Sequence, residues 1–152
     1  MSDQARVITE LADDHLLVAV DIPGATPADV VAAFCEPDRL RQWWGGSLTF
    51  QPYPGGAYVV HFPQLSQTMR GSVRAYAQDG PLSFTWAWDH EPDLPQLLVT
   101  VDVTATPDGV QLRLEHGPYD DASRSEAHSH REGWEFFLPR LVSHLNGMAT
   151  GS

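Results

Sequence analysis

The side chains with chemical potential in this sequence are two histidines set among tryptophans. His116 closes the run Val110 to His116, in which Val110, Leu112, Leu114 and His116 share one face of a strand. His130 precedes Trp134 by one helical turn, so both point from the same side of a helix. An imidazole in an apolar setting can orient a bound molecule or pass a proton near neutral pH. It can equally sit at a pocket floor, hydrogen-bonded to backbone. Neither histidine has a visibly paired second group. No catalytic residue is therefore assigned, and His116 and His130 stand only as weak candidates for a general base.

Large rings surround them in the pattern. Trp86 and Trp88 alternate in LSFTWAWD, Tyr58 lies in an earlier strand-like run, and Trp134 is followed one turn on by Leu138. Rings make rigid walls, and a buried indole N–H or phenol O–H needs a partner that a ligand carbonyl or hydroxyl can supply. The expected ligand-binding set is Tyr58, Trp86, Trp88, His116, His130, Trp134 and Leu138. Trp43 and Phe84 read as plain core. A pocket of drug-binding size, roughly 300–1,000 Å³, is the expectation.

Other chemistries find no support. His128, two residues from His130, falls off its face, and no Cys or carboxylate completes a tetrahedral set with His116, so no metal is expected. There is no Gly-x-Ser-x-Gly, and Cys35 has no sequence-visible His partner. The chain contains no Lys, which excludes a P-loop, and no cofactor is expected. Nine basic against 20 acidic residues give a formal charge of −11, which argues against nucleic acid and anionic membranes as partners. No apolar run reaches spanning length, the N-terminus is polar, and the single cysteine fits a reducing compartment. A cytoplasmic protein without membrane insertion is the reading.

The elements that must position these residues follow from periodicity. Ala127, His130, Trp134, Phe137, Leu138, Leu141 and Leu145 make one apolar stripe along Ser123 to Asn146. Ser123 and Glu126 form a capping-box pattern, and Gly147 is a plausible stop. Gly133 costs about 1 kcal/mol in a helix interior, so it should permit close approach of a strand or leave space beside Trp134. Pro139 removes one internal hydrogen bond and should kink a single long helix near Glu135. Upstream, HLLVAVDI reads as a strand and Thr26-Pro27 opens a helix. Pro37 opens a second short helix, stopped by Gly45-Gly46. Six strand-like runs then span Leu48 to His116, and Thr106-Pro107-Asp108-Gly109 is a hairpin turn. One apolar sheet face and one apolar helix stripe close on each other.

With these pieces in order, the sequence resembles the AHSA-like branch of the START-like, or SRPBCC, superfamily. PADVVAAFCEPDRLRQWWGG, PGGAY, GSVRAYAQDGPLSFTW, LRLEHGPY and GWEFFLPRL carry the resemblance, in the family's order across nearly the whole chain. It departs at Ala75, where the family often has an acidic residue, and at Pro139. The resemblance implies an α+β helix-grip fold: a curved antiparallel sheet wrapped around a long C-terminal helix, with two short helices after the first strand. Residues 15–147 would form the domain, with 1–14 a loose tail and 148–152 a second tail. It implies a cavity between sheet and helix for a small hydrophobic or amphipathic ligand. Two other readings stay open. One is a chaperone-partner module acting in stress response on the ATPase of the ninety-kilodalton heat-shock chaperone. The other is a cyclase- or hydratase-type enzyme using a pocket histidine. A protein partner or a homodimer is compatible with each.

Overall fold

A computed structural model of the protein describes residues 6–91, 93–94, 96–121 and 123–150, the side chains of 148–150 excepted. Its elements are β1 (Ile8–Ala12), β2 (His15–Pro23), α1 (Pro27–Cys35), α2 (Pro37–Trp43), β3 (Ser47–Phe50) and β4 (Ala57–Phe62). These are followed by β5 (Gln67–Tyr76), β6 (Leu82–Trp88), β7 (Leu97–Thr106), β8 (Gly109–Gly117) and α3 (Glu126–Thr150). The strands form one antiparallel sheet in the order β1-β2-β8-β7-β6-β5-β4-β3. After β2 the chain crosses through α1 and α2 to the far edge and meanders back until β8 pairs with β2. This is the expected α+β helix-grip arrangement.

Alternation sets the inner face. Leu16 stands opposite His116, Val18 opposite Leu114 and Val20 opposite Leu112, and all six are buried. On β7 and β6, Val99 pairs with both His116 and Phe84, and Leu97 pairs with Trp86. Ala127, His130, Trp134, Leu138, Leu141, Val142 and Leu145 of α3 are buried against this face, the stripe read from the sequence with Val142 added and Phe137 only half-buried. Each fully buried aliphatic side chain contributes about 1.5–3 kcal/mol of transfer free energy.

The short helices are fastened by their ends. Thr26 and Asp29 form a reciprocal capping box, each backbone N–H donating to the other's side chain at 3.2 Å. The last carbonyls of α1 have no helical partner. Trp43 Nε1 donates to Ala33 O at 2.9 Å and Tyr58 Oη donates to Phe34 O at 2.7 Å, which ties α1 to α2 and to β4. Arg140 Nε donates to Trp43 O at 3.1 Å, tying the end of α2 to α3.

Three expectations are corrected. Residues 8–12 are not a loose tail but the edge strand β1, which pairs with β2 through a turn with Asp13 at φ 53°. Thr9 Oγ1 donates to Glu135 and accepts from Arg131 Nε, both at 2.8 Å. Backbone pairing and polar links to α3 hold this strand, so its weak apolar pattern gives no warning; residues 1–5 lie outside the described part. At the other end, α3 continues past Gly147 to Thr150, so residues 148–150 are helix and not the expected tail; residues 151–152 are outside the described part. Ser123 does not cap toward Glu126. Its Oγ accepts from Asp120 N at 2.9 Å while Asp120 Oδ1 accepts from Ser123 N at 2.8 Å, so the reciprocal box forms one turn earlier. Pro139 sits inside a single uninterrupted helix.

Candidate functional site

The backbone of α3 runs closest to β1 and β2 on the sheet and to α1 and α2. Toward β6 and β4 the gap is spanned by tryptophan rings instead. Trp44 is the hub: its ring centroid lies 5.4 Å from Trp134 of α3, 6.1 Å from Trp86 of β6 and 5.8 Å from Phe62 of β4. Behind it, Trp43 stacks at 5.2 Å. These contacts leave a groove of about 140 Å³ between β6, β4 and α3. Trp44, Phe62, Trp86 and Trp88 line one side, and His130, Trp134 and Phe137 the other. Gly133 forms part of the helix wall, and a Cβ built there would meet no atom within 4 Å. Of the two roles expected for Gly133, the structure supports space beside Trp134, not close approach of a strand. A recess of about 20 Å³ lies across the shared wall of Trp86, Trp88 and His130, next to Glu91 and Glu126.

Position along each strand, not face, decides which inward residues reach the groove. Tyr58 faces inward as read, but it is fully buried, stacks on Phe84 at 3.9 Å and donates to Phe34 O, so it lies in packed core and lines no described pocket. Phe62, on the same face four residues on, lines the groove in its place; at about 3.4 Å per residue the two are over 13 Å apart. Leu138 is likewise fully buried core, one turn beyond Trp134. Trp43 and Phe84 are core, as expected.

Two stacked imidazoles form the polar end. The rings of His116 and His130 lie 4.2 Å apart and 8° from parallel. Trp86 meets both edge-to-face, at 4.7 Å from His116 and 5.4 Å from His130. Trp134 Nε1 donates to His116 Nδ1 at 3.1 Å. An indole nitrogen only donates, so the neutral His116 ring carries its proton on Nε2. His130 Nδ1 is 2.8 Å from the Tyr119 hydroxyl, which can donate or accept. Trp86 Nε1, His116 Nε2 and His130 Nε2 are all buried without a partner among the described residues. Burial, with His130 adding, pushes His116 well below the usual imidazole range, and burial pushes His130 down to about 4. Both rings are neutral at pH 7. Burial and the nearby Glu126 raise the Tyr119 hydroxyl, so it stays protonated. Glu126 itself is raised by burial and by its hydrogen bond to Glu91.

His116, His130, Trp86, Trp88 and Trp134 are thus brought together, although His116 lies behind the groove wall. Trp44, Phe62, Phe137 and Gly133, with Leu65, Gln67 and Ser129, complete the groove and were absent from the expected set. The inward alternation of Tyr58, Val60 and Phe62 could have flagged Phe62. Trp44 carries a weaker signal: adjacent helical residues point about 100° apart, so Trp43 and Trp44 present different sides of the helix end even though both are buried. The groove is smaller than expected because the Trp44 and Trp86 rings fill the middle of the hollow. Larger hollows lie on the outside: about 390 Å³ beside Glu10, Asp102, Arg113 and Glu115 on the sheet's outer face, and about 490 Å³ beside Gln42, Arg140 and His144. The first mixes Ile8, Leu17 and Ala19 with four charged side chains, and neither has the aromatic walls of the groove. Cys35 is buried, its thiol pushed up to about 12 by burial and by Glu36.

Residues 24–146 match the family model described as Activator of Hsp90 ATPase homolog 1-like protein. The chain belongs to this family. As an AHSA-like SRPBCC domain it shares its fold with many solved structures. A protein from Mesorhizobium loti is 24% identical with a TM-score of 0.77, the match covering 87% of this chain and 96% of that one. A protein from Rhodobacter sphaeroides is 18% identical with a TM-score of 0.79, covering 94% and 99%. A protein of the dynemicin biosynthetic locus is 24% identical with a TM-score of 0.75; the match covers 93% of this chain but only 49% of that one. These likenesses concern the fold. A comparison with curated proteins gives no match. Among the described residues no helix is long and apolar enough to cross a membrane.

Proposed function

We propose that this AHSA-like domain binds one small apolar or amphipathic molecule in the tryptophan-walled groove beneath α3. The observation that carries the reading is the groove itself. It has rigid aromatic walls and a helix wall opened by a glycine, and two of its lining residues, Trp86 and His130, each carry a buried ring nitrogen with no partner among the described residues. A dry apolar cavity of about 150 Å³ holds one benzene, so a groove of about 140 Å³ suits one ring or a short acyl end. Family membership supports ligand binding as the general role of the fold.

Burial weighs against proton-transfer catalysis. A histidine pushed down to about 4 is a weak base at neutral pH, whereas efficient general bases titrate near the working pH. The cyclase or hydratase reading therefore ranks below binding. Activation of a chaperone ATPase draws support from the family description alone. Native mass spectrometry of detergent-free protein, with thermal shift against a panel of single-ring and short-acyl compounds, tests the proposal. A co-purified small mass, or a Tm raised by members of the panel, is expected. No bound mass and no shift across the panel would remove it.

A further inference from the structure

Resting on that reading, we infer that the groove selects a neutral carbonyl compound: a ring-sized ketone, ester or amide whose oxygen accepts from Trp86 Nε1–H and His130 Nε2–H. Trp86 and His130 both line the groove, are at least nine-tenths buried, and have no partner for these nitrogens among the described residues. The indole can only donate. His130 takes either tautomer, because the Tyr119 hydroxyl at its Nδ1 serves as donor or acceptor. With Tyr119 donating, His130 carries its proton on Nε2 and becomes a second donor. His116, fixed by Trp134 with its proton on Nε2, stacks behind His130 and offers no bare acceptor on that side. In that tautomer of His130, Trp86 and His130 offer a pair of neutral donors, which matches an acceptor oxygen; Gln67 and Ser129, which also line the groove, can each donate or accept.

Charge decides between a carbonyl and a carboxylate. Among the described residues no Arg lines the groove or its recess, and the chain has no Lys. The titratable groups facing His130 are His116, Tyr119 and, across the recess, Glu91 and Glu126, with His90 beside Glu91. A carboxylate entering here would lose its hydration without meeting a cation, and would approach two acidic side chains. A neutral carbonyl meets neither cost.

The test compares acetophenone, ethylbenzene and benzoate at pH 7 by titration calorimetry, with the Trp86 indole N–H followed by NMR. Acetophenone is expected to bind and to move that N–H resonance downfield, ethylbenzene to bind without moving it, and benzoate to bind at least tenfold more weakly than acetophenone. In Trp86→Phe, which keeps a ring but loses the donor, the preference for acetophenone over ethylbenzene should fall by about tenfold, equivalent to 1.4 kcal/mol. Should that variant not fold, the wild-type N–H shift decides. An unmoved indole resonance with acetophenone bound, or benzoate binding as tightly as acetophenone, overturns the carbonyl assignment while leaving groove binding intact. If none of the three binds, groove binding falls and this inference with it.

Discussion

His130 shows how a single side chain can be at once well placed and poorly suited to be charged. Its ring is held between His116, Trp86 and the Tyr119 hydroxyl, and burial lowers it from an ordinary 6.5 to about 4. A lowered folded-state pKa means that the unfolded chain binds more protons between these two values. Stability from this group is therefore full above pH 6.5 and is lost as pH falls toward 4. At 1.36 kcal/mol per unit, the loss is on the order of 3 kcal/mol; His116, shifted the same way, adds to it. Urea unfolding at several pH values between 7 and 4 should show a shallower decline for His130→Gln than for wild type. Parallel declines would contradict the burial account. The placement of both histidines was legible, since strand period 2 puts His116 inward and helix spacing puts His130 with Trp134. Their stacking and their neutral state were not, because those depend on the third dimension between β8 and α3.

At the scale of elements, two glycines carry opposite demands. Gly133 lies where a Cβ meets nothing within 4 Å, so Gly133→Ala should stabilise α3 by about 1 kcal/mol through helix propensity. Chemical denaturation measures this; a loss of stability would mean the helix wall is tighter than described. Gly71 of β5 is the reverse case, since a Cβ there would lie 1.8 Å from the backbone oxygen of Thr85 in β6. Gly71→Ala should destabilise by about 2 kcal/mol or more and disturb Trp86, the next residue of β6. Unchanged stability would show that β5 can shift aside. The periodicities of 2 and 3.6 made nearly every element readable, down to the inner faces of β6, β7 and β8. They left out β1, whose ITELA pattern is only partly apolar and whose hold comes from pairing with β2 and from Thr9. They also say which face is inward without saying how far along a strand the core is closed. That is why Phe62, not Tyr58, borders the groove, and why Leu138 lies too deep.

For the whole molecule, the helix-grip fold turns a mismatch into a site. The sheet and α3 meet closely at the β1–β2 side and part toward β4, and the space between is nearly filled by Trp44, Trp86 and Trp134. The fold class was readable because one long apolar stripe and one apolar sheet face have few ways to cover each other. The cavity's size was not, since it is what remains after several large rings pack, a small difference between large volumes. The central claim, that this remainder is a binding site, is tested most directly by filling it. Gly133→Leu adds a side chain at a groove-lining position where a Cβ meets no atom within 4 Å, and intrinsic tryptophan fluorescence then follows acetophenone binding to wild type and variant. The account predicts saturable quenching in the wild type and its loss in a variant that unfolds no earlier. Equal binding by both proteins would contradict it.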